Sequence, residues 1–195
     1  MLLAMSGWVR AESILVLGDS ISAGYGLEKI EQGWVALLAE KLRPRGIIVA
    51  NASISGETTA GGLARIDALL EQYRPTAVIL ELGGNDGLRG LSPARMETNL
   101  DGMIGRSRAA GAKVLLLGMR IPPNYGKRYA EMFQKVYTDL AGRRDVPLVP
   151  FLLEGVGGQD SLMQADGIHP KREAQEILLK QVWARLEPML AGTAP

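Results

Sequence analysis

Three residues of this 195-residue chain have the types needed for a relayed nucleophile: Ser20, His169 and Asp166. Ser20 stands in LGDSISAGYG, where the apolar run ILVLG ends and the chain either turns or aims a hydroxyl. Serine after a strand is also an ordinary turn or helix N-cap residue. His169 is the only histidine, so any serine-histidine chemistry must use it. Asp166 precedes it by three residues in DGIHP, and a tight turn brings its first and fourth residues within about 7 Å. An aspartate so placed can accept a hydrogen bond from one ring nitrogen, fixing the tautomer and leaving the other nitrogen basic. A simple turn explains Asp166 and Gly167 equally well, but gives His169 no role.

Acyl transfer also needs donors aimed at the developing oxyanion, each worth about 2.7 to 4 kcal/mol in the transition state. The Ser20 turn offers its own backbone N–H next to a helix N-terminus. Gly56, in SISGETT, lets a backbone N–H approach a substrate with no side chain in the way. Asn85, in ELGGNDG, adds a side-chain amide. Taken singly these are a loop glycine and a turn asparagine; the constellation is stronger than its members. Competing motifs fail on inspection. Lys29 occupies the third glycine position of the pattern that begins Gly24-Tyr25-Gly26, and neither a phosphate loop nor a G-x-S-x-G elbow occurs. A magnesium site at Asp19, Asp86 and Asp166 is the one metal arrangement the composition leaves open, and no metal is expected.

The elements that must carry these residues alternate along the chain. Continuous apolar runs at 14–18, 47–52, 77–83, 113–119 and 147–152 read as strands covered on both faces. Between them, apolar residues recur at spacings of three and four: Val35, Leu38 and Leu42; Leu63, Ile66, Leu70 and Tyr73; Met96, Leu100, Met103 and Ile104; Tyr129, Met132, Phe133, Val136 and Leu140; Ile177, Leu178, Val182, Leu186 and Met189. Parallel strands joined through helices specify an α/β fold, a three-layer α/β/α sandwich with a five-stranded parallel sheet. Ligands bind such sheets at the carboxyl ends of the strands. Those ends are where Asp19-Ser20, Asn51 to Thr59 and Asn85-Asp86 fall.

Composition narrows the classes. Apolar residues make up 47% and charged residues 22%, the balance of a globular protein, and the net charge of +1 argues against a nucleic-acid partner. With no cysteine there is no disulfide, thiolate nucleophile or thiolate metal site. The opening MLLAMSGWVRAES has an apolar run too short to span a bilayer, followed by Val9-Arg10-Ala11, which has the small-residue spacing of an export cleavage site. Residues 1–11 are expected to be the remnant of an export signal or a ragged terminus, and 12–195 a single domain. Trp34 and Trp183 fall in helical patterns and read as packing residues. A monomer is favoured, although nothing in the sequence specifies the oligomeric state.

Four blocks in order, GDSIS, SISGETT, GGND and DGIHP, resemble those of the SGNH hydrolases, the GDSL family of lipases and esterases. Within it, QGWVALLAEKL, ELGGNDGLRG and PPNYGKRYAEMF are similar to runs in the bacterial group of multifunctional thioesterase I, lysophospholipase and arylesterase enzymes. The resemblance implies a flavodoxin-like fold, Ser20 as nucleophile, His169 as general base, Asp166 as its orienting acid, and oxyanion donors at Ser20, Gly56 and Asn85. It implies no cofactor, an acyl ester or thioester as the small-molecule substrate, no stable membrane insertion, and export to the periplasm, with a cytoplasmic location as the alternative. Leu88, Leu91, Ile121, Pro122, Pro123 and Tyr125 fall in loops suited to an acyl groove, and Asp86, Gly87, Arg89 and Ile168 adjoin them as candidate substrate contacts. Residues 87–90 are the expected moving element. A carbohydrate-ester deacetylase is the rival within the family, and a non-catalytic flavodoxin-like binding domain the rival outside it.

Overall fold

The structure, a computed structural model, describes residues 12–191. Residues 1–11, read above as an export remnant, lie outside them. Strands β1 (Ser13–Gly18), β2 (Ile48–Asn51), β3 (Ala77–Glu81), β4 (Lys113–Leu117) and β5 (Leu148–Val149) form one parallel sheet in the order β2-β1-β3-β4-β5. Parallel neighbours require crossovers, and these contain α1 (Ser20–Ala23), α2 (Trp34–Leu42), α3 (Thr59–Tyr73), α4 (Gly84–Leu88), α5 (Pro93–Ala109) and α6 (Lys127–Arg144), while α7 (Gln175–Ala191) follows β5. Helix α2 packs on α7, while α3, α5 and α6 pack in a row. The result is the expected three-layer α/β/α sandwich. The chain runs outward from β1 to β2 and then crosses back to β3, so the order reverses at β1 and ligand chemistry is expected there.

The core is the set of runs the sequence marks as continuously apolar. Ile14 to Leu17, Ala77 to Leu80 and Val114 to Leu117 are all buried, which only strands covered on both faces require. Leu38, Leu42, Leu178, Val182 and Leu186 come from α2 and α7, and Ile66, Leu100, Met103, Phe133 and Leu140 from α3, α5 and α6. Each such side chain contributes about 1.5 to 3 kcal/mol on burial. Trp34 is fully buried, and Trp183 packs half-buried beneath the Lys41 ammonium, 4.5 Å from its ring centroid.

The edges depart from expectation. Ile48 in β2 is 66% exposed, because β2 has a neighbour on one side only and no helix covers it fully. Strand β5 is two residues long rather than six. Pro150 has no N–H for the ladder, and beyond it the chain bends over the ends of the strands. Tyr73 and Met132, read as parts of apolar stripes, lie at the stripe edges and are exposed. The run 77–83 leaves the sheet at Glu81, since Gly83 adopts a φ of 118° that a β-strand cannot contain.

Candidate active site

Ser20 is the first residue of α1, immediately beyond β1. Asp19 caps this helix, its Oδ1 accepting from the Ile21 N–H at 3.0 Å. The loop after β2 is tied to the same edge: Ala52 N–H donates to Val16 O at 2.9 Å and Ile54 N–H to Gly18 O at 3.1 Å. Gly56 follows with a φ of 79°, in the left-handed region that favours glycine. Its carbonyl accepts from Arg89 Nη2 at 3.0 Å.

Gly18 stands opposite Glu81 in the β1–β3 register, and a Cβ at position 18 would come within 2.7 Å of Glu81 Oε2 and Ser22 Oγ. The glycine therefore makes room for a fully buried carboxyl group under the serine turn. Glu81 Oε2 accepts from Ser22 Oγ at 2.7 Å and from the Asp19 N–H at 3.2 Å. Burial and the neighbouring Asp19 charge push its pKa well above the carboxylate range, against the hydrogen bonds from Ser22 and Asp19. Burial also raises Asp19, to about 6, against hydrogen bonds from Ile21, Glu81 and Asn85 and the charge of His169.

Asn85 comes from α4, which starts after the left-handed Gly83. Its Nδ2 donates to Asp19 Oδ2 at 3.1 Å, so the first and third sequence blocks meet through side chains. Asp86 points the other way. Its carboxylate accepts from the Thr59 N–H at 2.9 Å and Thr59 Oγ1 at 2.6 Å, fastening α4 to the start of α3.

The fourth block is a loop closed by an antiparallel bridge between Met163 and Pro170, with Gln164 N–H donating to His169 O at 2.8 Å. Asp166 Oδ1 accepts from the backbone N–H groups of Ile168 and His169 at 2.9 and 3.0 Å. Its Oδ2 accepts from His169 Nδ1 at 2.6 Å, and a carboxylate there requires the proton on Nδ1. Nε2 is then an acceptor, and Ser20 Oγ donates to it at 2.9 Å. Burial acts to raise the Asp166 pKa, but the His169 ring and the two backbone N–H groups outweigh it and hold the pKa at about 2. The Tyr25 ring lies 4.5 Å from the imidazole, tilted by 42°.

Ser20, Asn85 and His169 open onto a cleft of about 550 Å³ with apolar walls. Of the residues expected to contact the acyl chain, Leu88, Ile121, Pro122 and Ile168 line it. Asp86, Gly87, Arg89 and Tyr125 do not. Asp86 is held by Thr59, a Cβ on Gly87 would lie 2.4 Å from Ile121 Cγ2 and 2.8 Å from Phe133 Cε2 behind the wall, the Arg89 guanidinium is bonded to the Gly56 carbonyl, and Tyr125 is exposed. Leu91 is likewise exposed, its carbonyl accepting from Tyr129 Oη at 2.7 Å; the side chain of Pro123 lies outside the described residues. Around the 87–90 segment, Asp86 is bonded to Thr59 just before it and Arg89 to Gly56 within it. The aspartates weighed as a magnesium cluster, Asp19, Asp86 and Asp166, face three different sets of partners.

Sequence reasoning missed the opposite wall. Met119, Phe151, Leu153, Gly157 and Met163 line it, four of them from the segment after β5. The signal was in PLVPFLLEG, apolar beyond the length its proline allows a strand to run. Arg120 closes the rim, its guanidinium 4.7 Å above the Phe151 ring and 3.3 Å from Glu154 Oε2.

A strand-end serine bonded to a histidine, beside an apolar cleft on a doubly wound parallel sheet, defines the class of α/β acyl hydrolases. The chain belongs to the GDSL-like lipase/acylhydrolase family, whose model matches residues 16–177, and it is an ester- and thioester-hydrolysing enzyme. It is 54% identical to Esterase TesA of Pseudomonas aeruginosa over 191 residues, covering 97% of this chain and 94% of that one. It is 46% identical to Thioesterase 1/protease 1/lysophospholipase L1 of Escherichia coli K12 over 180 residues, 92% and 86% of the two chains. A crystal structure of TesA superposes with a TM-score of 0.88 at 56% identity, covering 91% of this chain and 99% of that one.

Proposed function

We propose that this chain cleaves aryl esters, acyl thioesters and lysophospholipids of short to medium acyl chain length through an acyl-enzyme on Ser20. The observation that carries the reading is the continuous relay from Ser20 Oγ to His169 Nε2 at 2.9 Å and from Nδ1 to Asp166 at 2.6 Å. His169 takes the hydroxyl proton as Ser20 Oγ attacks the carbonyl carbon. The backbone N–H groups of Ser20 and Gly56 and the Asn85 amide hold the oxyanion. The imidazolium then protonates the departing alcohol or thiol, and the same histidine activates the water that releases the acid. Asp166, held near a pKa of about 2, stays charged throughout and stabilises the imidazolium.

Leu88, Ile121, Pro122 and Ile168 give the acyl chain an apolar place to lie, and the names of the relatives support both ester and thioester bonds. The small-molecule substrate is the expected partner, and export to the periplasm is carried by the resemblance and by Val9-Arg10-Ala11; cell fractionation tests the location. The substrate test is a panel of aryl esters, acyl thioesters and acetylated sugars, with Ser20→Ala as control. The reading predicts turnover of the first two, lost in the control. Preference for the acetylated sugar would overturn it.

A further inference from the structure

We propose that Asp19 is a positioning residue for the oxyanion hole: by accepting one N–H of the Asn85 side chain, it aims the other at the substrate oxygen. The inference rests on the assignment of Asn85 as an oxyanion donor. Asp19 is 2% exposed and divides its two oxygens between two donors, Oδ1 taking the Ile21 N–H and Oδ2 taking Asn85 Nδ2. A carboxylate only accepts, whereas a primary amide has two N–H groups at one end and a carbonyl at the other. Asp19 therefore excludes the flipped amide, in which a carbonyl oxygen in place of the N–H would face the position where the oxyanion must form. Both residues border the cleft, so the second N–H has an open space to serve. Holding the donor before reaction is what makes such a site effective, because no dipole need reorient as charge develops.

Asp19 is itself held from below. Its backbone N–H donates to Glu81 Oε2, which also accepts from Ser22 Oγ. Glu81 Oε1 has no hydrogen-bond partner among the described residues, and burial beside the Asp19 charge favours the neutral acid. A neutral Glu81 leaves Asp19 as the charged member of the pair. That charge also favours the imidazolium formed on His169.

The test is a double-substitution cycle on Asp19→Asn and Asn85→Ala, followed by kcat, KM and thermal unfolding. An amide at position 19 has one carbonyl oxygen for two donors and cannot hold Ile21 and Asn85 together. Asn85→Ala is expected to lower kcat by about 10²- to 10³-fold. Asp19→Asn should lower kcat by at least about 10-fold with KM changed less than about 3-fold, and should cost under about 3-fold when Asn85 is already alanine. An equal loss in both backgrounds, or a loss confined to KM, overturns the proposal. A normal kcat for Asn85→Ala overturns the oxyanion assignment, and this proposal with it. Should Asp19→Asn not fold, nitrogen-15 NMR of the unaltered protein reads the same contact. One Asn85 amide proton must exchange slowly and the other fast, and equal fast exchange would refute the hold by Asp19.

Discussion

Gly83 turns the chain from β3 into α4 at a φ of 118°, and an added Cβ would lie 2.2 Å from Tyr137 Oη and 3.0 Å from Met96 Sδ. Tyr137 is 1% exposed and donates to Leu82 O at 2.9 Å, with its phenol pKa driven up by burial and by the nearby Glu81, Asp86 and Asp19. Gly83→Ala therefore incurs two costs. A non-glycine residue in this backbone region costs about 1 to 3 kcal/mol. Displacing the hydroxyl leaves a buried O–H and C=O unpaired, for about 1 to 3 kcal/mol more. The sum, about 2 to 6 kcal/mol, corresponds at roughly 2 to 4 °C per kcal/mol to a fall in Tm of about 4 to 24 °C. Thermal unfolding of Gly83→Ala, Tyr137→Phe and the double variant separates the two. With the hydroxyl gone only the backbone cost and the ring contact remain, so Gly83→Ala should cost about 1 to 3 kcal/mol less in the Tyr137→Phe background. Equal costs in the two backgrounds, or a shift under about 2 °C in the first, would refute the account of why this block needs its first glycine.

Gly87→Ala should cost about 1 to 3 kcal/mol by overpacking Ile121 and Phe133. Because Ile121 lines the cleft, kcat/KM for an octanoyl aryl ester should fall more than for the acetyl ester; equal losses would mean the displaced side chain does not reach the acyl chain. Glu81→Gln tests the buried acid through pH. A folded pKa well above the ordinary glutamate value of 4.5 means that the native state holds a proton the unfolded chain releases, so stability falls as pH rises past 4.5. Asp19, raised to about 6, adds a loss of the same sign between about pH 4 and 6 in both proteins. Above pH 6 the Tm of Glu81→Gln should decline less with pH than that of the unaltered chain, and parallel curves would contradict a neutral Glu81.

The layers of the fold were legible because burial on both faces leaves an unbroken apolar run, and β1, β3 and β4 are such runs. β5 was misjudged in length since Pro150 stops a ladder without stopping apolar composition. Ser20, Asn85 and His169 were legible only as a constellation: each alone reads as a turn residue, but the sole histidine, an aspartate three residues before it and four polar blocks in order at the strand ends point together to acyl transfer. Gly87 and Asp86 carry the same local signature and turned out to serve packing, one against Phe133 and the other at the head of α3. Glu81 could not be found from sequence: an acid inside AVILELG reads as a strand residue, and its place opposite Gly18 is a matter of register between strands far apart in the chain. Asp19 caps α1 through its first oxygen, a use that aspartate commonly has at a helix start. Its second oxygen, which meets Asn85 across 66 positions, is a fact of tertiary structure alone.

The central claim is that Ser20, activated by His169 and oriented through Asp166, is the nucleophile. Intact-mass spectrometry after reaction with a fluorophosphonate measures it directly. The account predicts a single adduct per chain, mapped to Ser20, absent in Ser20→Ala and formed at least about 10³-fold more slowly in His169→Ala. An unreactive wild-type chain, or an adduct that persists undiminished in Ser20→Ala, would contradict it.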